Sequence, residues 1–336
     1  MPCASIDAHG IFLFILASNN YISIPFNQLM RSLLFLVLIT VFSGGLSAQR
    51  KMTIQKPFGW YEDTLTKLSK VIVNGRGDSA KHEANKTFLG LLKEALSKEG
   101  AFEYPFDSIT YLGKLVAPDN KFKIFNWHIR RENVTFEYFG YILYHNKSKN
   151  KYYVTRLEDR SETIVKGEYA KKLNKDRWYG CHYYSIVGNK KNNSFYTLLG
   201  LDGNYYNMNR KIIETVRFNS RGEPLFGGSK IYTKRGSKQR YFIQYSSLAS
   251  VSLRYDNDLK MIVFDYLVPP HPSMRGRYDK YRPSGFYDAF ALENGKWRYK
   301  HDIDARAKDL SNKKISQKKI EKENIKRRLE AERQNN

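Results

Sequence analysis

The sequence predicts an antiparallel, mainly β domain preceded by a helical hairpin, and three observations carry that prediction. Between residues 108 and 304, short runs rich in Tyr, Phe, Val and Ile alternate with Asn, Asp and Gly clusters that suit turns. No regular helical stretch of about 10–15 residues separates the runs, which argues against parallel βαβ units. With 25 Tyr and 20 Phe, the 336-residue chain can bury enough surface to offset its ordering entropy. The expected architecture is a meander closing into a sandwich or open barrel. A propeller-like arrangement is the alternative, but Trp127, Trp178 and Trp297 set no blade period.

The elements follow in chain order. Residues 30–48 combine a short basic start at Met30-Arg31-Ser32, an apolar run over 33–42 and a small-residue exit ending at Ala48. This is the three-part pattern of a secretory signal peptide, and the run is shorter than the roughly 20 residues a membrane-spanning helix needs. Met30 then reads as the true initiator and residues 1–29 as a misassigned upstream extension, with a long leader as the alternative. No cysteine follows the apolar run, so no lipid anchor is indicated. After cleavage Cys181 is the one cysteine left, and the core must hold without an intramolecular disulfide.

From 49 to 106 the spacing is helical. Trp60, Leu65, Leu68 and Ile72 form one apolar series, the 74–77 break follows, and Asp78 or Ser79 is placed to cap a second helix. Phe88, Leu91, Leu92, Ala95 and Leu96 line that helix, and Gly100 ends it. Strands are expected near 121–129, 136–145, 151–157, 178–187, 194–201, 211–218, 240–245, 250–255, 260–267 and 296–300. Turns are expected at 146–150, 188–193, 202–204, 219–222, 256–258 and 294–295. Residues 306–336 carry 11 Lys/Arg against 5 Asp/Glu. Ile315, Ile320, Ile325 and Leu329 mostly step by five and wind around a helix, which predicts a basic solvated helix or disordered tail.

The segment 265–288 stands out as a long Pro-stiffened loop, the kind of element on which binding sites collect. His271 with Asp265 or Asp288 could form an acid/base pair there, and Tyr278 and Tyr281 could stack on a sugar or another planar ligand beside Arg275 and Arg277. The plainer reading ties the loop to its sheet through Tyr hydroxyls and Asp–Arg pairs. Cys181-His182 cannot act as a couple, because adjacent strand residues face opposite ways, so Cys181 reads as a small buried hydrophobe. Asp302 and Asp304 read as a strand end pairing with Lys300, Arg298 or Arg306 rather than a Ca²⁺ site. Arg76-Gly77-Asp78 reads as a turn before a helix. No Walker loop, G-x-S-x-G, H-E-x-x-H or paired C-x-x-C is present, and no metal or cofactor is implied.

The runs Phe122-Lys-Ile-Phe-Asn-Trp127, Phe139-Gly140-Tyr-Ile, Trp178-Tyr-Gly180 and Tyr196-Thr-Leu-Leu-Gly-Leu-Asp-Gly203 resemble a family of uncharacterised secreted proteins of Gram-negative bacteria. Pro224-Leu-Phe-Gly227, Leu253-Arg-Tyr-Asp256 and Ile262-Val-Phe-Asp265 extend that resemblance, which spans residues 60–304. It implies export and a β-rich fold and transfers no activity.

The charge points to a partner. Lys and Arg number 57 against 33 Asp and Glu, a formal +24. In an exported protein that balance fits anionic lipid headgroups, lipopolysaccharide or acidic glycans better than nucleic acid, and another envelope protein is a further expected partner. The expectation is a periplasmic or extracellular protein, binding or structural rather than enzymatic. Lys318, Lys319, Arg327 and Arg328 of the tail join Tyr278, Tyr281, Arg275 and Arg277 as expected contacts. The alternatives are an envelope-glycan hydrolase or lyase with its site in 265–288, and a subunit of a secreted assembly.

Overall fold

The computed structural model describes residues 12–17, 20–25, 56–164, 169–188 and 195–305, and the chain divides into two units, 1–56 and 57–336. In the first unit β1 (Phe12–Ala17) and β2 (Asn20–Pro25) form an antiparallel hairpin with Ala17 opposite Asn20. The expected signal peptide at 30–48 and basic tail at 306–336 lie outside the described residues.

The second unit opens with the helical hairpin, α1 (Phe58–Asn74) and α2 (Asp78–Leu96). Tyr61, Leu65 and Ile72 from α1 meet Phe88, Leu92 and Ala95 from α2 at helical spacing. Trp60, expected on the inner face, is 38% exposed, and its neighbour Tyr61 is buried instead. Gly77 caps α2 from the left-handed region at φ 78°, where glycine is favoured, and the Asp78 carboxylate accepts from Glu132 N at 3.0 Å instead of capping.

Three sheets follow. The first orders β3 (Gly113–Val116), β4 (Phe122–Arg130), β5 (Phe136–Asn146) and β6 (Lys151–Leu157) as an antiparallel meander. The second contains β7 (Leu173–Asn174), β8 (His182–Val187), β9 (Tyr196–Tyr205), β10 (Met208–Phe218), β11 (Pro224–Phe226) and β14 (Arg240–Ser246). One edge of β10 pairs with β9, and the other is shared between β14 at 208–214 and β11 at 216–218. The third orders β13 (Gly236–Lys238), β12 (Ile231–Thr233), β18 (Lys296–Lys300), β17 (Arg282–Glu293), β16 (Met261–Val268) and β15 (Leu253–Asp256). Among the described strands pairing is antiparallel except for a short parallel contact between β12 and β18, and an isolated parallel bridge joins Asp159 to Trp178. The described residues are mainly β and sandwich-like, with no closed barrel. No helix among them is long and apolar enough to cross a membrane.

The alternation of side chains along each strand assigns its two faces. Phe125, Trp127 and Ile129 of β4 pack on the helices, and the Trp127 indole donates to Asn85 Oδ1 at 2.7 Å. Phe122 and Ile124, on the other face, meet Tyr183, Leu198 and Ile212 of the second sheet. Leu199, Ile213 and Ile243 on the far side of that sheet meet Ile262, Phe264, Phe290 and Trp297 of the third. The layers therefore run helices, sheet, sheet, sheet, and both inner sheets are buried on two faces.

Two expectations for this region are corrected. Residues 202–204 do not turn: they lie within β9, and Asp202 is fully buried, accepting from Tyr179 at 2.6 Å and Tyr138 at 3.2 Å. The reversal falls at Tyr206-Asn207 instead. The supposed loop 265–288 is paired strand at both ends, because β16 runs to Val268 and β17 begins at Arg282, which leaves 269–281 as the connection. Pro283, Gly285 and Asp288 hide β17 in the sequence. A register shift between Asp265 and Leu267 and a φ of 93° at Gly285 absorb the irregularity. The Asn294-Gly295 hairpin is as expected, with both residues at positive φ (49° and 69°) as a tight β-turn of the primed type requires.

Candidate functional site

An open groove of about 840 Å³ lies where the β12–β13 hairpin, β14, Tyr169, Tyr278 and Tyr299 meet. Hairpin geometry puts the first feature in place. Residues 234–235 form the turn between β12 and β13, so Lys234 and Arg235 project from it, with Lys238 on β13 beside them. All three are exposed, and among the described residues no ion pair engages them. Among the described residues no Asp or Glu lines the groove.

The second feature is an aromatic wall. Tyr241 and Phe242 come from β14, Tyr299 from β18, and Tyr169 from the segment before β7. Tyr169 packs against Phe242 with ring centroids 4.7 Å apart. Burial pushes the Tyr241 hydroxyl up to about 12, and burial followed by Asp288 pushes Tyr299 up as well. These phenols stay neutral in ordinary buffer and act as donors, so the charge of the groove comes from its Lys and Arg side chains.

Arg240 anchors the floor. Its Nε donates to Glu214 Oε1 at 2.7 Å, with both side chains almost completely buried, and Glu214 also accepts from Tyr183 at 2.7 Å. Nη1 of Arg240 donates to the carbonyls of Tyr169 at 2.8 Å and Lys171 at 3.1 Å, which fixes the wall segment to the sheet. Nη2 has no hydrogen-bond partner among the described residues. Such a buried orphan donor is uncommon in folded proteins.

A smaller cavity of about 170 Å³ adjoins the groove and shares Tyr241, Phe242, Gln244, Tyr278 and Tyr299 with it. Asp265, Tyr266, Tyr281 and Asp288 also line it, with Ile243, Phe264 and Leu267. Several residues singled out from the sequence therefore converge here, in a different arrangement. Tyr278 and Tyr281 are neighbours, with ring centroids 5.0 Å apart. Asp265 pairs across the ladder with Tyr287, and Asp288 with Phe264, so the two carboxylates leave opposite faces of the sheet. Asp265 accepts from Ser252 N at 2.6 Å.

The expected histidine is not the one in place. His271 is exposed and engages Ser273 Oγ at 2.8 Å within its own turn, and it hydrogen-bonds to neither carboxylate. Asp288, 2% exposed, instead accepts from Tyr299, from His301 Nδ1 at 2.8 Å and from Asp302 N at 3.2 Å. The signal for His301 was register: Ala289 pairs with Lys300, which sets His301 across from Asp288, but only once β17 is recognised as a strand. Asp302 thus uses its backbone here, and the cations expected beside it, Lys300 and Arg298, reach Glu293 at 2.6 and 3.5 Å.

Arg275 and Arg277 are exposed and line neither cavity. Lys318, Lys319, Arg327 and Arg328 lie outside the described residues. Cys181 is buried, and burial pushes its thiol well above the ordinary range, as suits a small core residue and not a nucleophile. Among the described residues no cluster of three His, Cys, Asp or Glu is placed to hold a metal. Sequence reasoning missed Lys234, Arg235, Lys238 and Tyr299, because two segments distant in the chain, the β12–β13 hairpin and β18, bring them together.

No protein-family model matches the chain, and neither a curated protein nor a solved structure matches it.

Proposed function

We propose that this chain is an exported cell-envelope protein that binds an acidic glycan in the groove beside the β12–β13 hairpin. One observation carries the reading: Lys234, Arg235 and Lys238 stand at the rim of a groove walled by Tyr and Phe, with no carboxylate lining it among the described residues. Cations select the carboxylates or phosphates of such a polymer, and aromatic faces pack against its sugar rings. The formal +24 of the whole chain adds attraction at longer range.

Reversing the rim charge tests this. The triple variant Lys234→Glu, Arg235→Glu, Lys238→Glu should weaken binding of an acidic oligosaccharide by about tenfold or more, because it replaces attraction with repulsion. All three sites are exposed, so the melting temperature should hold. Wild-type affinity should also fall with added salt, since the screening length is about 10 Å at 0.1 M. Unchanged affinity in the triple variant would place the ligand elsewhere.

A second reading, acid–base chemistry on the bound polymer, is favoured by the Asp288–His301 contact. A buried carboxylate that accepts from Nδ1 leaves Nε2 as the bare nitrogen of a half-exposed ring, the orientation a general base needs. Under this reading incubation with the polymer releases new chain ends, and His301→Ala abolishes the release while binding persists. Cleavage that survives His301→Ala would contradict it.

A further inference from the structure

Two turns at one end of the second and third sheets present large apolar side chains to solvent. Tyr206, in the β9–β10 turn, is 80% exposed, and Leu248, in the turn leaving β14, is 97% exposed. The register pairs Met208 with Ser246, and Ser247 N donates to Asn207 O at 3.0 Å, so these turns lie side by side. A third segment joins them: Ser246 N donates to Tyr281 O at 3.0 Å, and Gly276 N to the Tyr281 hydroxyl at 3.2 Å. That segment exposes Arg275, Arg277, Lys280 and Arg282. Its one carboxylate, Asp279, meets Arg277 at 3.3 Å and Lys280 at 3.6 Å. Arg275 and Arg282 make no ion pair among the described residues.

Exposed leucine at a turn is unfavourable in water, and a tyrosine with a wet hydroxyl and an apolar ring suits the boundary between headgroups and acyl chains. Cations beside such a tip gain from anionic headgroups, each adding a comparable increment. We propose that this end of the protein docks on an anionic phospholipid bilayer, with Leu248 and Tyr206 entering the interface and Arg275, Arg277, Lys280 and Arg282 resting on lipid phosphates. The two apolar side chains sit on separate turns within a cationic border. That arrangement fits a soft, negatively charged surface, and the inference is independent of the groove reading.

The test is co-sedimentation of the full chain with vesicles of phosphatidylglycerol and phosphatidylcholine, and with phosphatidylcholine alone. The protein should pellet with the anionic vesicles only. The double variant Tyr206→Asp, Leu248→Asp should weaken that binding by about tenfold or more, through lost apolar burial and added repulsion. Its melting temperature and its binding of an acidic oligosaccharide should stay as in the wild type. Leu248→Trp should show bluer emission on anionic vesicles than in buffer. Pelleting that survives the double variant would overturn the proposal by placing the lipid contact elsewhere. Failure of the wild type to pellet would overturn it too, and would assign the tip to a protein partner.

Discussion

Arg240→Met should destabilise the fold by about 3–5 kcal/mol, the loss expected when one partner of a fully buried ion pair is removed. The substitution leaves the Glu214 carboxylate uncompensated between two sheets, with Tyr183 as its one remaining donor among the described residues. It also releases the carbonyls of Tyr169 and Lys171, so the aromatic wall of the groove loses its tie to β14. Urea unfolding should show a lower midpoint with an unchanged slope. Adding Glu214→Leu should recover part of the loss, because an apolar pair of similar volume removes the stranded charge. A single-variant loss below about 1 kcal/mol would mean that water reaches the pair.

Acid should also weaken the fold through His128, whose charged form is disfavoured by burial and then by His182. His128 lies between the first two sheets, with its ring 5.9 Å from that of His182 and 5.2 Å from Phe136. Its pKa falls from 6.5 to about 4, and that of His182 is lowered in the same direction by burial. The unfolded chain therefore takes up the His128 proton near pH 6.5, and the folded chain resists it until about pH 4. Stability from this group is full above about pH 6.5 and is lost as pH falls towards 4. At about 1.4 kcal/mol per pH unit the loss approaches about 3 kcal/mol. His128→Phe should flatten the stability curve across that window. An identical slope in wild type and variant would show that His128 protonates freely in the folded state.

The layered fold was largely legible because buried strands declare themselves. The alternation of Phe122 and Ile124 with Phe125 and Trp127 already implies two covered faces, and the structure puts helices on one and a sheet on the other. Asn294-Gly295 likewise announces its hairpin by the backbone it must adopt. What the sequence concealed was polar chemistry inside strands. Asp202 and Asp288 resemble turn residues by type, yet both are buried acceptors, Asp202 of the Tyr138 and Tyr179 hydroxyls and Asp288 of Tyr299 and His301, all from other parts of the chain. Composition alone does not distinguish a carboxylate satisfied by tertiary hydrogen bonds from one in a solvated turn. Reading 265–288 as a loop removed β17, and with it the register that sets Asp288 against His301.

The groove was illegible for a related reason. Lys234 and Arg235 are an unremarkable hairpin tip in sequence, and Tyr169, Tyr241 and Tyr299 are distant along the chain. They become one surface because Arg240 ties the Tyr169 segment to β14 and because β18 carries Tyr299 alongside. The overall charge was visible from composition. Its concentration at the rim of this groove, with no carboxylate among the described lining residues, required the fold.

Calorimetric titration of the full chain with an acidic oligosaccharide, and with the same oligosaccharide after reduction of its carboxylates to alcohols, addresses the central claim most directly. The two ligands share their ring faces and differ only in charge. The charged form should bind, more weakly as salt rises, and the reduced form should bind far more weakly or not at all. Equal binding of both forms, or binding of neither, would contradict the assignment of this groove to acidic glycans.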